Sequence, residues 1–229
     1  GPMLAGTALA LLAGLLWGLV FIVPVLLPDY PPAMLSAGRY LAFGLIALPL
    51  AWIDRVRLSQ LGRNDWLEAG RLALVGNLLY YACLAAAIQR AGAPLPTMII
   101  GSLPVVIAVV ANLRVSHDVS LPWSRLLPSL VLIAAGIALV NQVELDRQAG
   151  QPTADVGRHA VGAVLAAGAL VCWTWYPIRN AQWLRAHPDR SARVWATAQG
   201  LVTLPLAAAA YVAVAAWYGF AGSSLAMPF

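Results

Sequence analysis

Six side chains able to recognise a small organic solute fall inside long apolar runs: Trp17, Asn77, Tyr80, Tyr81, Trp173 and Tyr176. Their rings stack on flat apolar groups, while an indole N–H, a phenol or an amide fixes orientation through a few hydrogen bonds. Spacing adds to this. Asn77 and Tyr81 are four apart, which predicts one shared helix face, and Trp173 and Tyr176, three apart, are predicted neighbours. Trp175 sits nearer a helix end and fits an interfacial belt equally well. Arg39, some six residues into an apolar run, is either an anchor that snorkels to the outer interface or a partner for a substrate carboxylate, with Ser36 one turn before it. All of this is non-covalent recognition.

Covalent and metal chemistry find little to work with. The nine acidic residues (Asp29, Asp54, Asp65, Glu68, Asp118, Glu144, Asp146, Asp155 and Asp189) all fall in loops or at helix ends. An embedded carboxylate is the usual device for proton coupling or for holding a cationic drug. His117, His159 and His187 are scattered through loops without zinc, haem or triad spacing, and Cys83 and Cys172 lie in apolar runs where packing is their expected role. No cofactor and no metal are expected. An intramembrane enzyme would need clustered carboxylates, a Ser/His pair or metal ligands within the helices. A light-driven pump would need a Schiff-base lysine, and the chain has no lysine at all.

These side chains need a membrane to position them. The chain is 61% hydrophobic and 10% charged, with a mean hydropathy of +0.78, more apolar surface than a soluble domain of this size can bury. A net charge of +5 would suggest nucleic acid in a soluble protein, but here the arginines lie in the loops of a membrane protein, so no nucleic-acid partner is expected. Gly1-Pro2 ahead of Met3 reads as a protease-site remnant, and the first apolar run, followed by "PDYPP", is too long for a signal-peptide core. About 20 apolar residues span a bilayer as a helix, and seven such runs are visible, at 4–27, 33–53, 70–88, 95–113, 124–143, 160–180 and 192–218. The stretch 54–69 reads as a partly helical surface loop, and 144–159 as a flexible link between two halves. Alternate loops hold ten arginines against three, which places the N-terminus in the cytoplasm.

Slid along itself by 156 positions, the chain matches Trp17 to Trp173, Gly44 to Gly200 and "ALPLA" at 47–51 to "TLPLA" at 203–207. There are 13 identities in the 40 positions of 4–24 and 33–51, where this composition gives about four by accident. The offset carries helix 1 onto helix 6, so the unit holds five helices. Five is odd, and the second copy therefore crosses the membrane in the opposite sense, an inverted repeat. The expected organisation is a first five-helix repeat over 3–143, a linker over 144–159 and the start of an inverted second repeat over 160–229. The same arithmetic predicts ten helices in the intact protein, of which this chain carries seven. The expected fold class is thus an all-α polytopic membrane protein. Pro24, Pro49, Pro104, Pro177 and Pro205 each free a carbonyl within a helix, as hinges or as static kinks. Gly14 and Gly18 put two small residues on one face, a pattern for close helix packing.

"LLAGLLWGLVFIVPVLL" followed by "SAGRYLAFGLIALPLA" resembles the first two helices of the drug/metabolite transporter superfamily, in its EamA-type branch. "NLLYYACLAAAIQRAGAPLPTMIIGSLPVVIAVVANL", with its Ser102-Leu103-Pro104 segment, is similar to that family's third and fourth helices. Within the superfamily the chain is most similar to YddG-type exporters of aromatic amino acids. The resemblance implies ten helices around a central cavity between two five-helix halves, with alternating access. It implies a bacterial inner-membrane exporter of small metabolites, amino acids foremost, whose partners are a small-molecule substrate and the lipid bilayer. A multidrug-type exporter of the same superfamily is the alternative, and a seven-helix receptor-like protein a second.

Overall fold

The chain builds helices because its apolar runs must satisfy every backbone N–H and C=O internally when water is absent. The computed structural model describes residues 2–114, 123–149 and 156–220. Helix α1 covers Pro2–Leu26 and α2 covers Pro32–Ile53, which begins on a proline whose missing N–H has no helical acceptor in any case. A short α3 (Arg55–Leu58) leads to α4 (Arg63–Leu72), whose start is capped by Asp65 Oδ2 accepting from Gly62 N–H at 2.9 Å. A π-helical stretch over Ala73–Leu79 joins α4 to α5 (Tyr80–Ala91), and Gly92, at φ 76°, closes that rod. Then come α6 (Pro94–Gly101), α7 (Leu103–Arg114), α8 (Trp123–Ala149), α9 (Val156–Ala186) and α10 (Ala192–Phe220).

Among the described residues five helices are long and apolar enough to cross a membrane: Gly6–Leu26, Pro32–Ile53, Arg63–Ala91, Gly157–Ala186 and Ala192–Gly219. The fold is an all-α polytopic membrane protein. Seven full spans were expected. The fourth, 95–113, is covered by α6 and α7 together, and the fifth, 124–143, lies within the 27-residue α8. The fourth run is interrupted at Ser102, whose hydroxyl donates to Ile99 O at 2.6 Å. Pro104, two residues on, has no N–H to continue the ladder. Pro24, Pro49, Pro177 and Pro205 lie within helices that continue through them.

Three further readings need correction. The surface loop expected over 54–69 is half transmembrane rod, because α4 continues into the third span. The linker expected over 144–159 is helical as far as Ala149, and α9 starts at Val156, so only 150–155 remains between them, outside the described residues. His117, Asp118 and Asp155 also lie outside the described residues. Lastly, a Cβ added at Gly14 or Gly18 would meet nothing within 4 Å, so this pair makes no close helix contact among the described residues.

Close contact occurs elsewhere. Helices α2 and α10 pack so tightly that a Cβ on Gly44 would come within 2.6 Å of Leu204 Cβ, and one on Gly200 within 2.6 Å of Ala47 Cβ. Farther along, Asp54 accepts from Arg193. As the α2 number rises from 44 to 54, its α10 partner falls from 204 to 193, so the two helices run antiparallel. Gly44 and Gly200 are related by the 156-residue offset. The α4–α5 rod and α9 are antiparallel too: Glu68 pairs with Arg179, Gly76 with Tyr176, and Ala91 with Gly162. Away from these contacts large apolar side chains stay uncovered, among them Leu15, Leu16, Leu132 and Trp217, as a lipid-facing surface requires.

Candidate functional site

The two tryptophans matched by the repeat meet. Trp17 on α1 and Trp173 on α9 have ring centroids 6.0 Å apart. The two rings are the residues that the 156-position offset matches. Around Trp173 stand Tyr80 at 5.4 Å and Tyr176 at 5.7 Å, while Phe21 packs edge-on against Trp17 at 5.9 Å. The set therefore draws on α1, α5 and α9.

Two of these rings carry polar atoms without partners. Trp173 Nε1 and Tyr80 Oη are buried and make no hydrogen bond among the described residues. Buried donors are nearly always satisfied, and Thr174 Oγ1, on the residue after Trp173, is likewise without a partner among the described residues. Trp17 keeps 39% of its surface exposed. The centre is therefore aromatic and holds two polar atoms without partners among the described residues.

The remaining expected residues divide. The Tyr176 ring lies where a Cβ on Gly76 would be, and its hydroxyl donates to Gln199 Oε1 at 2.9 Å. Asn77 donates to Thr203 Oγ1 at 3.2 Å, tying the π turn to α10. Ser36 is buried and donates to Leu78 O at 2.8 Å, so its hydroxyl is committed to the same turn and does not assist Arg39. Asn77 and Tyr81 were expected on one face, but the π turn's extra residue shifts the register. Asn77 reaches α10, whereas Tyr81 reaches α1 and α2, its hydroxyl 3.4 Å from Val20 O and its ring 6.4 Å from Tyr40.

Arg39 and Tyr81 share a second feature, a cavity of about 510 Å³ between α1, α2, α5 and α10 whose walls include Leu19, Val23, Met34 and Tyr211. It lies toward the end of the bundle that carries the α1–α2 turn, opposite the arginine-rich loops. The guanidinium of Arg39 sits 4.8 Å from the centre of the Tyr81 ring and 5.6 Å from that of Tyr40, at cation–π range.

At the arginine-rich end two carboxylates that the sequence reading placed in a surface loop, Asp54 and Glu68, are buried and paired. Glu68 pairs with Arg179, and Asp54 with Arg193 at 2.5 Å, both carboxylates buried. Trp183 and Trp195 stack at 3.5 Å, and Asn180 Oδ1 accepts from both Trp195 Nε1 at 2.8 Å and Gln199 Nε2 at 3.0 Å. One signal was available in the sequence: Asn180, Gln199 and Thr203 are polar residues within or bordering apolar runs, where each must find a partner.

Comparison with known proteins agrees with this architecture. The model of the EamA-like transporter family matches residues 4–142. Inner membrane protein YtfF of Escherichia coli (strain K12) is 53% identical over 228 residues, which cover 99% of this chain and 70% of that protein. No solved structure matches.

Proposed function

This chain belongs to the EamA-like transporter family, and from that premise we propose that it exports small metabolites, amino acids with aromatic or hydrophobic side chains foremost, across the bacterial inner membrane. The substrate passes through a central cavity between two inverted five-helix repeats, the first over 3–143 and the second beginning at 160, with 144–159 between them. Access alternates between the two sides, and the N-terminus is cytoplasmic. Similarity to a relative named as an inner membrane protein supports the location, and the loop arginines support the orientation.

The observation that carries this reading is the aromatic centre on the repeat axis, with its orphan donors at Trp173 Nε1 and Tyr80 Oη. An amino acid bound there offers a flat or apolar side chain to the rings and a carboxylate to the donors. Two inverted repeats also give a transporter two related conformations, each open to one side.

Flux of radiolabelled phenylalanine, tryptophan and leucine in proteoliposomes tests the proposal. Saturable flux above protein-free vesicles is the expected result. Absence of flux for every amino acid, with saturable flux of an apolar cationic dye, would replace it with multidrug export.

A further inference from the structure

Polar contacts at the arginine-rich end join the stretch before 143 to the stretch after 160. Asp54, at the end of α2, accepts from Arg193 at the start of α10, and Glu68 on α4 pairs with Arg179 on α9. Gln60 O accepts from Arg190 at 3.0 Å, and Asp65 Oδ1 from Trp183 Nε1 at 3.3 Å. Every one of these links crosses from one five-helix unit of the inverted repeat to the other.

The two ion pairs are poorly built as permanent staples. Asp54 is 4% exposed and bonded through Oδ1, while its Oδ2 has no partner among the described residues. The side chain of Arg193 is 58% exposed, and that of Arg179 is 47% exposed. Burying an acid against such an arginine carries a desolvation cost that an apolar contact of similar volume avoids. Separating the helices returns both charges to water and removes that cost. An ion pair therefore suits a surface that must open as well as close, because its open form leaves no bare apolar face.

The 156-residue offset carries Asp54 to Ala210, Arg193 to Ala37 and Arg179 to Val23. Glu68 maps to Ser224, outside the described residues. The contact that would mirror Asp54–Arg193 at the α1–α2 end is thus alanine against alanine. The two ends differ in chemistry at positions that the offset makes equivalent.

We propose that Asp54–Arg193 and Glu68–Arg179 are the releasable lock of a gate on the arginine-rich side, and that the opposite side closes without charges. The described arrangement is then the resting state, closed at the arginine-rich end. The proposal rests on alternating access between the two repeats and names what holds one of its two states.

Distances between spin labels at the two ends test it, by double electron–electron resonance on the purified protein in nanodiscs with Cys83 and Cys172 replaced. One label pair is Arg63→Cys with Ser191→Cys at the arginine-rich end. The other is Leu27→Cys with Trp217→Cys at the α1–α2 end, and all four positions are exposed. Each pair is expected to show one predominant distance in the wild type and a second in Arg179→Gln/Arg193→Gln. The second should be longer at the arginine-rich end and shorter at the other, in equal proportion, because one rocking motion produces both. Its population should rise about three- to tenfold, as loss of two partly exposed ion pairs implies. Exchanging the charges, Asp54→Arg with Arg193→Asp and Glu68→Arg with Arg179→Glu, should lower it again. Loss of fold would lengthen both distances, so the shortening at the α1–α2 end separates gating from misfolding. Arg179→Gln alone, which keeps Asp54–Arg193, should give the same pattern at about two- to threefold.

Lengthening confined to the arginine-rich end would make the pairs local staples and overturn the proposal. Unchanged distances at both ends overturn it as well. Reciprocal distances without amino-acid flux would leave the gate standing and remove the export reading. Amino-acid flux through a protein whose distances ignore the two pairs would do the reverse.

Discussion

Trp173 Nε1 and the Glu68 carboxylate are both buried polar groups, and they differ in whether they are satisfied. Trp173 Nε1 has no partner, so Trp173→Phe removes an unpaired donor while keeping a ring. That change should leave stability unchanged or raise it by up to about 1 kcal/mol. Under the proposed function it should raise KM for an aromatic amino acid about three- to tenfold. Transport kinetics and thermal unfolding read the two effects separately, and an unchanged KM would make Trp173 a packing residue. Glu68 is the opposite case, since its carboxylate is 9% exposed and faces Arg179 and Arg71. Glu68→Gln leaves Arg179 without its counter-charge. Because Arg179 is itself 47% exposed, water takes over part of the loss, and the expected cost is about 1–2 kcal/mol rather than the full value for a buried pair. A lower unfolding temperature in detergent, partly restored by Arg179→Gln in the same chain, checks it.

At the level of elements, the π stretch Ala73–Leu79 decides how α4–α5, α9 and α10 fit. It brings Gly76 beneath the Tyr176 ring and turns Asn77 toward Thr203. Any side chain at 76 must push that ring away. Gly76→Val should therefore lower the unfolding temperature by several degrees, consistent with an overpacking cost of about 1–3 kcal/mol. Tyr176→Phe, which loses only the bond to Gln199, should cost less, and a smaller effect from Gly76→Val than from Tyr176→Phe would contradict the packing. This turn also marks where sequence reading stopped. Apolar length located α1, α2, α9 and α10, because bilayer thickness imposes it. A π insertion leaves no mark in hydropathy, so Asn77 and Tyr81 were assigned one face by ordinary helical spacing. Glu68 was assigned to a loop because charge was taken as a boundary, whereas a paired charge can lie inside a continuing helix. Trp17 and Trp173 were legible through the repeat. Arg39 was legible as an outer-interface anchor or a carboxylate partner, but the cavity beside it was not, since its walls come from residues far apart in the chain.

For the whole molecule, the antiparallel contacts and the 156-residue offset make separate statements that agree. On α2 and α10 they intersect where a residue faces its own repeat equivalent, close to Ile46 and Val202, between the contacts of Gly44 with Leu204 and of Ala47 with Gly200. Trp17 and Trp173, matched by the same offset, also meet, as the proposed inverted repeat requires of residues near its axis. A pair of cysteines at Ala47 and Gly200 should accordingly cross-link in a chain whose Cys83 and Cys172 are replaced, since a disulfide needs Cβ atoms about 3.5–4.5 Å apart and little movement provides that. The inverted arrangement further requires that the α1–α2 and α9–α10 connections, equivalent in the repeat, face opposite sides of the membrane. Asp29 lies in the first and His187 in the second. With the N-terminus cytoplasmic, a membrane-impermeant maleimide added to intact cells should label Asp29→Cys at once and His187→Cys only after permeabilisation. The reverse pattern would invert the proposed orientation and keep the repeat, whereas labelling of both from one side would remove the repeat itself.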